Sequence, residues 1–470
     1  MERLIKTGAV APKQAAQVET SRLGVGFEKL DRGAFDPEKA YDKIAALGVK
    51  WARIQSGWAK TERQKGVYDF QWLDTIVDNL LRRGMIPWIC LCYGNGLYDD
   101  TAAKMFGAVG CPPIHSAEAK AAWAAYVSAL TAHYKGRVTH YEIWNEPDGK
   151  WCWKHGPSGT EYGRFAAETA RAVRQGDPDA YVIGGAVCFR DISYINAAFD
   201  AGMGPYIDGL SFHEYTADET PVFDRVRSLR AVCALHGCPD IQIIQGESGS
   251  QSRRGGAGAL SGGAWTPARQ AKQLLRHTVA DLLADVLFSS YFSSLDMFEA
   301  LNGTIDDAAS YKDFAYFGVL GADFDQTGAA TGSYTPKPSY YALQHLAAVF
   351  AGAFTPCDLP MTLHVEDSPL LFHHNCSDAP TLQKGGFMRA NGSYAYAYWN
   401  ATDLMTTSFS SYLTLETALD ISKLRLIDLM DGQIYSLPPE MLERKEGGTV
   451  IHDLPVKDYP LLLTFGDFQL

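Results

Sequence analysis

The chain has 470 residues, with 42 Lys and Arg against 54 Asp and Glu, a formal charge of −12. Hydrophobic residues are 46% and charged residues 20%, so a large core is available and global disorder is excluded. The acidic balance argues against a nucleic-acid partner, which would ask for a basic face.

Residues 23–27 read as a first strand, and residues 36–47 as a helix with Pro37 in its first turn. Residues 49–55 form the next strand, and 70–83 the next helix, closed by Gly84. Residues 86–93 are nearly all apolar, as suits a strand buried on both faces. A long helix over 117–134 precedes a fourth strand at 138–144; a helix at 161–175 ends in Gly176-Asp177-Pro178. Strands five to seven fall at 181–187, 207–215 and 241–245. A helix at 267–284, an eighth strand at 286–292 and a helix at 339–350 complete the series.

This alternation over residues 22–350 matches an α/β fold of the (β/α)8 barrel type better than an open doubly wound sheet. No GxGxxG follows the first strand. Beyond residue 350 the helical periodicity stops, and short alternating runs separated by Asn-Gly and Asp-Gly turns predict a β-sandwich over 351–470. Residues 1–21 could lie along either unit, the β-sandwich included.

Nine cysteines without CxxC pairing read as buried thiols in a reducing compartment. The first twenty residues hold no signal-like apolar run, and no stretch approaches the ~18 apolar residues of a membrane span. A cytoplasmic location and no membrane partner are the expectation. No His, Asp or Cys cluster has metal-ligand spacing, so neither metal nor organic cofactor is implied. Oligomeric state is left open.

In a barrel, catalytic groups stand where strands end and βα loops begin. Strand four ends in Tyr141-Glu142-Ile143-Trp144-Asn145-Glu146-Pro147, and strand seven in Ile244-Gln245-Gly246-Glu247-Ser248. Glu146 and Glu247 therefore face one barrel mouth, where one carboxyl can protonate a leaving oxygen while the other attacks. A strand-end Glu alone is more often a solvated or ion-paired group. Trp-Asn-Glu-Pro is more specific, because a buried Asn needs partners and Pro fixes the exit turn.

Asn145-Glu146-Pro147 with Glu247 resembles the glycoside hydrolases of clan A, and the trailing β-sandwich resembles the family 39 branch of β-xylosidases and relatives. The resemblance implies a retaining hydrolase of β-glycosides, with Glu146 as acid/base, Glu247 as nucleophile and Asn145 near the sugar 2-hydroxyl. It implies that Arg53 supports the nucleophile, and that His213 and Tyr215 lie beside it with the tyrosine hydroxyl donating. An exo-acting enzyme on short oligosaccharides is expected. A transglycosidase and an inactive carbohydrate-binding barrel are the alternatives.

Glu142 lies too deep and Glu214 has the wrong parity, so neither is expected to react. Many clan members carry a strand-eight Trp, and residues 288–297 hold none; Phe292 or Phe298 is the expected substitute, and Glu299 reads as a solvated loop residue. Trp58, Tyr93, Trp151, Trp153 and Trp265 are expected to ring the mouth, with Tyr93, Asn95, Trp151 and Trp153 as carbohydrate-binding candidates. The Gly-rich stretch 255–263 and the long connection 302–338 are candidate lids.

Overall fold

A computed structural model describes residues 1, 3–104, 108–188, 191–299, 313–364 and 381–468. Eight parallel strands close into a barrel: Leu23–Gly26, Trp51–Gln55, Ile86–Leu91, His140–Ile143, Tyr181–Val187, Gly209–His213, Gln242–Ser248 and Ser289–Tyr291. Val25 closes the ring, pairing with Ala52 on one side and Tyr291 on the other.

The outer layer comprises helices Tyr41–Ala45, Gln71–Arg82, Ala117–Tyr134, Gly159–Gly176, Ile192–Asp200, Val222–Leu235, Pro267–Leu283 and Pro338–Val349. Their starts are locally encoded. The side chains of Ser116, Ser158 and Thr266 each accept from the backbone N–H three residues on, a cap worth ~1 kcal/mol. The first helix is shorter than the sequence predicts: residues 37–39 form a tight turn capped by Asp36 before the helix proper. Ile192–Asp200 and Val222–Leu235 were not among the sequence-predicted helices; Asp191 caps the first by accepting from Ser193 N.

The remaining strands are antiparallel. A seven-stranded sheet and a four-stranded sheet pack around a shared core that includes Tyr398, Leu415, Leu426, Ile451 and Leu463. Tyr398 spans the two by donating its hydroxyl to Pro455 O at 3.0 Å. The N-terminal strand Ile5–Ala9 is the outermost member of the seven-stranded sheet, paired with Gln433–Ser436. The β-region docks on the barrel through Glu219, which accepts from Trp399 Nε1 at 2.7 Å and Arg276 Nε at 2.8 Å.

Of the connection after strand eight, residues 302–312 lie outside the described residues. The rest is ordered by pairing: Phe314–Ala315 against Met297–Phe298, then a hairpin of Leu320–Phe324 with Ala330–Pro336. Among the described residues, no helix is long and apolar enough to cross a membrane.

Candidate active site

Strand four leaves the barrel through two non-glycine residues in the left-handed region, Trp144 (φ 65°) and Glu146 (φ 44°). Such conformations cost ~1–3 kcal/mol each and persist only where the surroundings hold them. Here Trp144 N donates to Leu91 O, Trp144 Nε1 to Cys152 O and Glu146 N to Ala186 O, so the exit turn is pinned from three sides. On strand seven, Gly246 passes so close to its neighbours that a Cβ would stand 2.2 Å from Ser211 Oγ. A side chain there would have to displace the Ser211 hydroxyl, and Glu247 follows Gly246 at the mouth.

Arg53, from strand two, is wholly buried beneath both carboxylates. Its five N–H donors are all used. Nε and Nη2 donate to Glu142 Oε2, Nη2 to Asn145 Oδ1 at 2.8 Å, and Nη1 to Glu28 Oε1 at 3.0 Å and Glu247 Oε2 at 2.8 Å. A buried guanidinium is tolerable only when paired and fully hydrogen-bonded, as it is here. Glu247 Oε1 accepts from the Tyr215 hydroxyl. Glu146 Oε1 lies 3.0 Å from His213 Nδ1, and Glu146 Oε2 accepts from Trp151 Nε1. The same His213 Nδ1 is 3.5 Å from Glu247 Oε2. Ligand atoms of Glu146, His213 and Glu247 all lie within 4.8 Å of one another. Each of the four carboxylate oxygens already faces a protein donor, so the trio is built as a proton site rather than a metal cage.

Above the trio opens a cavity of about 410 Å³, at the small end of the ~300–1,000 Å³ of ligand pockets. Tyr215, Phe292 and Phe317 meet edge to face along one wall, with centroids 5.5–6.4 Å apart. Trp151 and Tyr93 face it from other sides, and Lys29, Arg32, Gln55, Glu28 and Glu299 supply polar groups.

Residues 36–222 match the family model described as glycosyl hydrolases family 39. The chain is family 39-like. A curated β-xylosidase of Geobacillus stearothermophilus is 29% identical over 169 residues, 33% of this chain and 32% of that protein, so the match spans about a third of the relative's length. A solved family 39 glycoside hydrolase from the gut symbiont Bacteroides cellulosilyticus has a TM-score of 0.65 at 19% identity, covering 94% of this chain and 80% of that one. A monomeric β-xylosidase from Caulobacter crescentus has a TM-score of 0.61 at 18% identity, covering 97% of each chain. The structural likeness shows the fold alone, an eight-stranded parallel barrel with an added β-region.

Within this family 39-like barrel, the cavity collects Glu146, Glu247, Asn145, Tyr215, Tyr93, Trp151 and Phe292 from the sequence-predicted set. Two members of that set are corrected, and two stand in a supporting place. Arg53 and His213 lie below the cavity with no exposed surface, where they reach the carboxylates, as the resemblance implies, and not a ligand. Trp153 is fully buried, edge-on to Trp144, Tyr162 and Phe165, and cannot be a subsite wall. Asn95 uses its amide to tie its loop to the segment after strand two, donating to Glu62 O and accepting from Leu97 N, both at 2.9 Å.

Trp58 and Trp265 are likewise buried in packing. Glu299 is the converse case: it is buried, lines the cavity and stands 3.6 Å from Lys29 Nζ, rather than being a solvated loop carboxylate. Phe298 is not among the residues lining the cavity; its backbone oxygen accepts from Lys29 Nζ at 2.9 Å. Gly258 and Ala259 bring the Gly-rich stretch to the cavity rim. Glu28, Lys29, Arg32, Gln55, Cys188 and Phe317 went unnoticed in the sequence. Gln55 had a signal: it shares a strand face with Arg53 by period two.

Burial pushes Glu247 up to about 7, with Glu28 adding to the rise while His213 and Arg53 oppose it. Glu146 lies below the usual carboxylate value, because His213 and the Trp151 indole outweigh its burial. His213 is raised: burial opposes its charge, but Glu247 and Glu146 together prevail.

Proposed function

We propose that this chain is a retaining glycoside hydrolase of β-linked glycosides, exo-acting on short oligosaccharides or glycosides, with β-xylosides the first substrates to try. One observation carries the reading: one carboxylate oxygen of Glu146 and one of Glu247 lie within 4.8 Å of each other over one cavity, with Glu247 seated on Arg53 and Tyr215. So close an approach favours a retaining pair, whose carboxyl groups stand ~5–5.5 Å apart, over an inverting pair, which leaves ~6.5–9.5 Å for a water.

In the proposed cycle Glu247 attacks the anomeric carbon and forms a glycosyl ester, while Glu146 protonates the departing oxygen. Glu146, now a carboxylate, then takes a proton from water, and the hydroxide so formed releases the sugar with net retention. The pair holds one proton at the start, and burial alone favours placing it on Glu247. Two features favour moving it to Glu146. Arg53, Tyr215 and His213 all face Glu247 and stabilise it as the anion. Glu146 must exchange its bond to the Trp151 indole for the glycosidic oxygen, which removes a stabiliser of its own charge. His213 Nδ1, close to both carboxylates, is the connecting atom for the transfer.

The catalytic unit in this reading is the barrel, residues 22–350, with residues 351–470 as a flanking β-domain. A carbohydrate substrate and a cytoplasmic setting complete it, the latter supported by the free thiols of the eight described cysteines.

The deciding experiment is product stereochemistry by proton NMR on an aryl β-xyloside, paired with Glu247→Ala. First-formed β-product from the wild type, no turnover in Glu247→Ala, and partial rescue by azide with an inverted glycosyl azide are expected. First-formed α-product, or full activity in Glu247→Ala, defeats the proposal.

A further inference from the structure

Beside the catalytic cavity lies a second hollow of about 440 Å³ that shares Arg32 and Tyr93 with it and is otherwise walled by Asp31, Trp58, Lys60 and Arg63. The two spaces differ in charge. The catalytic cavity holds four carboxylates against two cations, whereas the second hollow holds three cations against one carboxylate. In a chain of formal charge −12, that concentration of positive charge next to the reacting centre calls for a ligand.

Arg32 forms the shared wall. Its side chain is only 7% exposed, Nη2 donates to Gln55 Oε1 at 2.5 Å, and Nε stands 3.4 Å from Asp31 Oδ1 without a hydrogen bond. Nη1 carries no hydrogen bond among the described residues. A nearly buried guanidinium with two of its three nitrogens free of hydrogen bonds among the described residues is an incomplete recognition fork. Arg63, at the outer rim, is exposed and has no ion pair among the described residues. Lys60 is half-buried, donating to Leu30 O at 2.9 Å and lying 4.4 Å from the Trp72 ring centroid. Its ammonium sits below the usual value, chiefly through burial, with Arg63 lowering it further against the pull of Asp31. A bound anion would relieve that crowding. Tyr93, like Arg32, lines both spaces, which places the second hollow directly beside the catalytic cavity.

We propose that the second hollow is a subsite for a carboxylate-bearing sugar, a uronic acid unit attached to the glycoside held in the catalytic cavity. The planar carboxylate matches the open edge of Arg32, and Arg63 and Lys60 supply the surrounding field. This rests on the glycosidase reading and narrows its substrate to acidic oligosaccharides that are neutral at the scissile unit.

The test is calorimetric titration of the whole wild-type chain, Arg63→Ala and Lys60→Ala with D-glucuronate, D-glucose and D-glucose 6-phosphate. D-glucuronate should bind the wild type, weaken about tenfold in Arg63→Ala and lose affinity with salt, while D-glucose responds to neither substitution. Equal D-glucuronate affinity in all three proteins overturns the subsite, and a larger loss for D-glucose 6-phosphate reassigns it to a phosphate. In parallel, Arg63→Ala should keep the wild-type kcat/KM on a neutral aryl β-xyloside. It should raise KM about tenfold, with kcat kept, on a uronosyl-substituted glycoside; unchanged KM there also overturns the subsite. Absence of any wild-type glycoside cleavage would refute the hydrolase reading, and the titrations would still decide the subsite.

Discussion

Arg53 Nη1 donates to Glu247 Oε2 across 2.8 Å, joining the second barrel strand to the seventh. The same side chain also serves Glu28, Glu142 and Asn145, so it orients the Glu247 carboxylate and anchors the floor of the site. Lysine has three donors and no fork, and cannot replace it. Arg53→Lys is expected to lower kcat/KM by roughly 10²–10³, as loss of a preorganised donor does. It should also cost ~3–5 kcal/mol of stability, because buried carboxylates lose partners. Steady-state kinetics and urea unfolding check both; wild-type values in either would show that the guanidinium fork is dispensable there.

Glu146 carries the proton for the leaving group in the proposed cycle, so its removal should matter in proportion to how badly that group needs protonation. Glu146→Ala is expected to lose ~10²–10⁴ in kcat/KM on oligosaccharides and alkyl glycosides. Dinitrophenyl glycosides, whose leaving group departs unprotonated, should lose far less in the glycosylation step. A uniform loss across leaving groups would remove Glu146 from the acid role.

The carboxylate pair also sets a pH profile. Glu247 is pushed up to about 7 by burial and Glu146 lies below its ordinary value, so the pair holds a single proton between those limits. The productive state needs that one proton, whichever oxygen it rests on before the substrate arrives. As pH rises through about 7 the proton is lost, so kcat/KM should fall there. As pH falls, a second proton enters only below the ordinary carboxylate range, so the acid limb should lie lower than usual. An acid limb near 7, or an alkaline limb near that of a free phenol, would contradict this ordering.

Two neighbouring tryptophans should respond oppositely. Trp151 lines the cavity and donates to Glu146, whereas Trp153 is buried among Trp144, Tyr162 and Phe165. Trp151→Phe should therefore change kcat/KM and raise the lower limb of the pH profile, with a small change in unfolding midpoint. Trp153→Ala should lower stability by ~3–5 kcal/mol with little change in KM for the protein that remains folded. A KM effect confined to Trp153→Ala would return that residue to the list of sugar contacts.

Local signals sufficed wherever neighbours in the chain decide the outcome. Ser116 and Thr266 announce helices by capping them, the apolar run at Ile86–Leu91 announces a strand buried on both faces, and Gly246 clears the way for Glu247. The Trp-Asn-Glu-Pro exit and the strand-seven Glu marked the carboxylate pair because each lies at a strand end of known direction. Even the Arg53 and Gln55 parity was readable, although only Arg53 was taken up.

Convergence from separate strands was not readable. Glu28, Lys29 and Arg32 leave strand one, and Glu299 and Phe317 come from beyond strand eight; they meet over the mouth only because the barrel closes strand one against strand eight. Exposure was equally hidden: Trp151 and Trp153 differ by two positions, yet one faces the cavity and the other the core, since the turn after Glu146 follows neither strand nor helix period. The amino-acid order by itself determined the barrel, its two candidate carboxylates and the acidic balance of the whole. Only the tertiary structure decided which charged groups share a cavity, because that depends on distances set by closure of the sheet rather than by spacing along the chain.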